Sequence, residues 1–187
     1  MEAGIIGYCN ALNPLVTNLI ALKKNASDLR IVADMRLCNY FTKRTKNHFQ
    51  SLPDTIRNIN LTSTFFSQMD FSQSYYAIPL HPDSTRYCSF FNTEDKLCCL
   101  LRTPQGAVDA NIHLANVLEQ ILPKQENLNH YQDDILLSHE NDEPQSLDDL
   151  LGILSRIYDS GLKLNPKKSH FSRFCNIPRI PFERRYN

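Results

Sequence analysis

The sequence predicts an α+β fold, with helices packed on a mostly antiparallel sheet. Three observations predict it. Short runs rich in β-branched and aromatic residues alternate with polar turns, and two longer stretches space their apolar residues as helices do. An acidic pair, Asp133 and Asp134, also stands directly before the apolar run Ile135, Leu136 and Leu137, which reads as a buried strand. With 187 residues and 42% hydrophobic content, the chain can bury a real core as one domain or as a domain with a smaller appendage.

The elements follow in order. LVTNLIALKKNASDLRIVADMR reads as two strands joined by the polar turn KKNASD, a basic hairpin. In NLTSTFFSQMDFSQSYYAIPL, the alternating Phe65, Ser67, Met69 and Phe71 define one strand face and leave Phe66, Gln68 and Asp70 on the other. RYCSFFN and LCCLLRT read as a further strand pair flanking the turn NTED. After TPQG, the run AVDANIHLANVLEQIL places Val108, Ile112, Ala115, Leu118 and Leu122 on one helical stripe, with Asp109 positioned to cap it. A second helix covers roughly 146–159 and ends before Gly161.

The stretch NHYQDDILLS carries the chemical question. Two adjacent carboxylates repel, and taking either out of water costs several kcal/mol unless a cation or donor meets it. The plain reading is a β-turn closed by Asp133 and Asp134. Asp148 and Asp149 repeat the dipeptide near the start of a helical pattern, where acids serve the helix N-terminus and face water. Asp133 and Asp134 differ because the strand that follows would hold them at a fixed point on a hairpin.

Composition excludes several classes. No apolar run approaches a membrane span, and the start MEAGIIGYCN lacks a basic segment leading into an apolar one, so a secreted or membrane protein is not expected. The six cysteines show no CxxC spacing, which favours reduced thiols and a cytoplasmic or nuclear setting. The net charge of zero hides segregation: the first third is basic, residues 126–160 are acidic apart from Arg156, and the tail is basic again. Such alternation suits an anionic ligand between basic walls with a cation on an acidic floor, or ordinary surface patterning.

Five glycines form neither GxxxxGK nor GxGxxG, so neither common glycine loop for phosphate is present. A nucleotide would then need metal ions and side-chain cations. Two divalent ions held by carboxylates from separate segments can activate a hydroxyl and neutralise a leaving pyrophosphate, and Asp70 with Asp133 could supply those carboxylates. Magnesium keeps water and phosphate in its shell, so two or three protein carboxylates suffice.

The motif order resembles the reverse transcriptases of gypsy-like retrotransposons and retroviruses, over roughly residues 4–171. LRIVADMRLCN resembles a basic finger strand, MDFSQSYYAIPLHPDSTRYCSF the first catalytic segment, and TPQG with its helix the template-contacting segment. YQDD, with Tyr131 and Gln132, resembles the signature box, and GLKLNPKKSHF the lysine-bearing segment after it. The resemblance implies a polymerase palm, an antiparallel sheet with helices on one face, plus partial fingers and no thumb. It divides the chain into fingers (1–45 and 78–107), palm (46–77 and 108–171) and a divergent tail (172–187).

It further implies RNA-directed DNA synthesis, a nucleotidyltransferase reaction from deoxynucleoside triphosphates to a primer 3′-hydroxyl. The cofactor would be two Mg2+ ions, or Mn2+ in their place, and the partners an RNA or DNA template-primer and the rest of a pol polyprotein, thumb and ribonuclease H included. By resemblance Asp70 and Asp133 bind both metals, Asp134 is a less essential third carboxylate, and the Phe71 carbonyl is an added ligand. Tyr75 matches the residue that stacks beneath the incoming sugar and excludes a ribose 2′-hydroxyl by bulk; the alternative is a core aromatic. Arg30, with Lys24 or Lys23, matches the finger cations that clamp the triphosphate, against a solvated hairpin. Gln105 and Gly106 match positions beside the nascent base pair, and Lys168, with Lys167 one residue away, matches a lysine that protonates the leaving pyrophosphate.

Departures are specific. After PQG the resembling family has a small residue, then proline, then an aromatic, whereas this chain has Ala110, Asn111 and Leu114. The strand entering the signature box is LNHY, with Asn129 and His130 where aliphatic residues are usual, and His130 reads as a strand residue rather than a ligand. CNIPRIPFERRYN matches no part of the family. The expected reading is therefore a domain fragment of a retrotransposon polyprotein, or a degenerate, catalytically silent remnant that binds nucleic acid or protein at most.

Overall fold

A computed structural model describes residues 4–23, 29–45, 52–60, 62–140 and 144–173. Along these residues run β1 (Ile6–Tyr8), β2 (Leu19–Lys23), β3 (Leu29–Ala33), α1 (Arg36–Phe41), α2 (Leu52–Arg57), β4 (Phe65–Asp70) and α3 (Ser74–Ala77). After a 3-10 turn at Pro82–Tyr87 come β5 (Ser89–Phe91), β6 (Leu97–Leu100), α4 (Ala110–Ile121), β7 (Leu128–Tyr131), β8 (Asp134–His139), α5 (Pro144–Asp159) and β9 (His170–Arg173). The chain folds as two compact units, Met1–Lys46 with Tyr75–His113, and Asn47–Ser74 with Leu114–Asn187.

In the first unit, β1, β6 and β5 form a three-stranded antiparallel sheet, and β2 pairs with β3 as the basic hairpin the sequence predicts. The β5–β6 connection is a turn built by Asn92, whose side-chain oxygen accepts the amides of Glu94 and Lys96. Such local side-chain bonding is why Asn opens turns. Ala33, Met35, Cys88, Phe90, Cys98 and Leu100 form the core of this unit, with Ile5, Ile6 and Leu80 packed against it. The cysteines among the described residues are free thiols, and burial pushes the Cys88 thiol up to about 12, so it stays protonated and behaves as a small apolar group.

In the second unit, four antiparallel strands run in the order β7-β8-β4-β9. β8 is buried along five of its six residues, as expected for an apolar run at the middle of a sheet. Ile135, Leu137 and Met69 are fully shielded, and Ile153 and Ile157 supply the buried stripe of α5. Tyr131 packs against a cluster of Ile59, Phe66 and Leu136, so the signature tyrosine fastens the β7–β8 hairpin to the core.

Three expectations change. The two-face alternation of β4 does not appear as alternating burial, since Phe66, Ser67, Met69 and Asp70 are all buried. β4 lies between β8 and β9, and both its faces are covered. The helix after TPQG begins at Ala110, directly after Asp109 as a cap there requires, and the Asp109 carbonyl takes the His113 amide, but its carboxylate accepts from the amide and hydroxyl of Thr45. The segment read as a tail starts inside the sheet, because Ser172 and Arg173 pair with Phe66 and Phe65; residues 174–187 lie outside the described residues. Helices α1 and α2 have six residues each, too few for a periodic signal.

Candidate active site

The second unit assembles the acids. β4 and β8 pair so that Met69 faces Ile135 and Asp70 faces Asp134. Directly opposed residues on neighbouring antiparallel strands share a face, with Cβ atoms roughly 5 Å apart. Asp70 is only 2% exposed and Asp134 only 5%. Two such carboxylates repel each other where water screens little, and the fold supplies a cation. The Lys168 ammonium stands 3.1 and 3.4 Å from the two Asp70 oxygens, while the lysine side chain itself stays 57% exposed.

Lysine 168 is placed by backbone. Residues 163–165 run beside 70–72: the Ser72 amide donates to the Lys163 carbonyl and the Asn165 amide to the Asp70 carbonyl. The Asn165 carbonyl then accepts from the amides of Lys168 and Ser169, and its side-chain oxygen takes the Lys167 amide, which closes an Asn-Pro turn. The Asp70 amide completes the link by donating to Ser169 Oγ at 3.3 Å. Of the two lysines read from the sequence, Lys168 is thus the one delivered to Asp70, and Asn165 and Ser169 are positioning residues that the sequence reading missed.

Asp133 sits in a two-residue loop, since Tyr131 pairs with Asp134 and only Gln132 and Asp133 lie between. Gln132 has φ +55°, the sign that tight hairpin turns require at the first loop position. Gln73, three residues after Asp70, has φ +54°. Asn13 and Asp95, the other described non-glycine residues of this kind, are types that adopt it readily, whereas glutamine is not. Backbone strain therefore sits just beyond Asp70 and just before Asp133. Phe71 bridges Leu164 between the two flanking hydrogen bonds, so its own carbonyl points away from 163–165, towards the β8 side.

The candidate ligands, the carboxylates of Asp70, Asp133 and Asp134 and the Phe71 carbonyl, are oxygen donors, which suits a hard divalent cation rather than a thiolate or imidazole metal. Among the described residues no group of three or more His, Cys, Asp or Glu side chains is placed to hold a metal ion. A buried carboxylate pair with a turn carboxylate beside it fits an ion that keeps water and phosphate ligands.

The first unit holds the other candidates. Tyr75, on the first turn of α3, is half-buried and donates its hydroxyl to Asn111 Oδ1 at 2.5 Å. Lys23 and Arg30 are exposed, and the β2–β3 register, which pairs Leu22 with Arg30 and Lys23 with Leu29, puts them on opposite faces of the hairpin. The described residues of the ribbon therefore present Lys23 and Arg30 on opposite faces, and the Arg30 charge reaches Tyr76, beside Tyr75. Lys24 lies outside the described residues. Gly106 is exposed with φ +93°, and a Cβ there would meet nothing within 4 Å, so the backbone angle rather than crowding demands glycine. Asn39 grips this turn from both sides, donating to the Gly106 carbonyl at 2.8 Å and accepting from the Val108 amide at 2.9 Å. It is 67 residues from Gly106, and no local pattern announced it. Gln105 is half-buried in the same turn.

The family model described as Reverse transcriptase (RNA-dependent DNA polymerase) matches residues 21–179. The chain belongs to that family. Among reverse transcriptase relatives, the Gag-Pol polyprotein of Walleye dermal sarcoma virus is 25% identical over 171 residues, covering 88% of this chain and 10% of that polyprotein. The chain thus spans about a tenth of the length of that curated relative. The native Prototype Foamy Virus Protease-Reverse Transcriptase superposes with a TM-score of 0.80 at 23% identity, over 90% of this chain and 22% of that one. A foamy viral protease-reverse transcriptase in complex with an RNA/DNA hybrid gives 0.78 at 23% identity, over 90% and 22%. These likenesses show the reverse transcriptase fold, mixed α+β with antiparallel sheets. Among the described residues no helix is long and apolar enough to cross a membrane.

The strand leading into the reverse transcriptase signature carries a histidine, His130. His130 is half-buried, and burial holds its imidazole below the ordinary value, with Glu119 pulling the other way. In the window just below about 6.5 the unfolded chain binds a proton that the folded chain refuses. Its contribution to stability is therefore complete above that window and is lost as pH falls through it. We expect the urea midpoint to drop between pH 7 and pH 5, and His130→Gln to flatten that drop; an unaltered pH dependence in the variant would contradict the assignment.

Proposed function

We propose that this chain is the catalytic segment of a reverse transcriptase, adding deoxynucleotides to a primer 3′-hydroxyl on an RNA or DNA template. The observation that carries the reading is Asp70 registered against Asp134 and contacted by Lys168, in a chain of this family. The unit Asn47–Ser74 with Leu114–Asn187 acts as palm, and the unit Met1–Lys46 with Tyr75–His113 as fingers.

Asp70 and Asp133, with Asp134 and the Phe71 carbonyl alongside, are the oxygens that would hold magnesium. Bound there, the ion supplies Lewis acidity towards the attacking hydroxyl and charge neutralisation for the leaving pyrophosphate. The chain's own residues do the rest. The strained hairpin keeps Asp133 at a fixed point, and Tyr131 anchors that hairpin in the core. Lys168 holds a proton at Nζ for the departing pyrophosphate. Arg30 engages the triphosphate, Tyr75 sets the space for the sugar, and the Gln105–Gly106 turn, steadied by Asn39, lets backbone approach the base pair. Catalysis of this kind is positioning and charge stabilisation.

Primer extension tests it, using the protein that carries this segment, an RNA template, deoxynucleoside triphosphates and magnesium. The unsubstituted protein is expected to extend the primer and Asp133→Asn to stop it. Extension that survives Asp133→Asn would overturn the reading. A parent protein that binds the hybrid yet never extends it would instead identify a binding remnant.

A further inference from the structure

We propose that Asn111 is a specificity-determining residue for the sugar of the incoming nucleotide, acting by holding Tyr75. The inference rests on the polymerase reading above and on Tyr75 as the residue facing that sugar.

Asn111 lies on the first turn of α4 and Tyr75 on the first turn of α3, in the same unit of the fold. The phenol donates to the Asn111 amide oxygen at 2.5 Å, at the short limit of hydroxyl hydrogen bonds. Asn111 is exposed and Tyr75 half-buried, so packing alone does not enclose the ring. An aromatic side chain at a helix start has other staggered rotamers available, and a hydroxyl tethered at its tip removes them. Asn111 is also the residue that departs from the family pattern, standing where the resemblance expects proline. A proline side chain offers no acceptor; asparagine does, and here the acceptor is used.

The consequence is a rigid wall. Exclusion of a 2′-hydroxyl by bulk works only as well as the bulk stays in place, because a ring that swings aside admits the extra oxygen. Asn111 therefore sets how firmly ribonucleotides are refused, without touching the substrate.

The experiment measures kcat/KM for a deoxynucleoside and the matching ribonucleoside triphosphate, with melting curves for every variant. Asn111→Leu keeps the side-chain size and removes the acceptor. It is expected to lower the deoxy-over-ribo preference by about fivefold, the worth of one ordinary hydrogen bond, through a rise in ribonucleotide kcat/KM. Tyr75→Phe keeps the ring and removes the donor, so it should give a similar loss, and the double variant should add nothing further. Should Asn111→Leu fail to fold, Tyr75→Phe carries the same test. If Tyr75→Ala collapses the preference while Asn111→Leu and Tyr75→Phe keep it intact, Tyr75 is the sugar wall and the role of Asn111 is overturned. If Tyr75→Ala leaves the preference unchanged, the reading of Tyr75 fails and the proposal falls with it.

Discussion

Asp70→Asn is expected to cut primer extension by roughly two to three orders of magnitude or more while leaving the fold as stable as before. The two outcomes have one cause. Asp70 and Asp134 are buried like charges set directly opposite on adjacent strands, an arrangement that costs stability. Removing one charge relieves it. The Lys168 ammonium gives up its nearest countercharge, but its side chain is 57% exposed and water takes over. The amide keeps the shape of the carboxylate, so packing is preserved. On the proposed mechanism, what disappears is a hard anionic ligand and the field in which the hydroxyl would react. Extension assays and thermal melts on one preparation check both halves. Equal activity would remove Asp70 from the chemistry, and a large loss of stability would mean that its charge serves the fold instead.

Leu137→Ala is expected to destabilise the protein by about 2–5 kcal/mol, the range for a leucine truncated in a well-packed core. Leu137 has no exposed surface and sits in β8 opposite Ser67 on one side and Leu128 on the other. A cavity there cannot collapse without moving three strands. The loss is a large fraction of the total stability of an ordinary domain. Urea unfolding should show a lower midpoint at unchanged slope. A cost below about 1 kcal/mol would mean that the sheet repacks freely, contrary to the central place of β8. Activity should fall too, because Asp134 starts that strand and Asp133 precedes it.

The parts of this architecture written locally were legible in the sequence. YQDD before an apolar run announced a tight hairpin, the helical stripe from Val108 to Leu122 announced α4, and the basic hairpin was readable from KKNASD. What stayed hidden was the bonding between distant segments. Neither the choice of Lys168 over Lys167 nor the Asn39 grip on Gly106 has a local signature, because the partners are 98 and 67 residues away. Asp109 looked like a helix cap because caps are local, yet its carboxylate serves Thr45. Periodicity also misleads for β4, since alternation reports two faces but not that both are covered. For the finger cations, the resemblance grouped Lys23 with Arg30, and only the pairing register separates them by face.

The contact between Asp70 and the turn at Asn165–Ser169 bears on how defective genomic copies should be recognised. A copy interrupted by a stop codon shortly before Leu162 would still encode both acidic signatures intact. It would nevertheless lack the segment 163–165 that runs beside residues 70–72, the clasp on the Asp70 amide and the Lys168 ammonium that touches that carboxylate. Surveys that count a tetrapeptide as proof of competence would score such pseudogenes as whole, whereas requiring the Asn165 turn as well would set them apart.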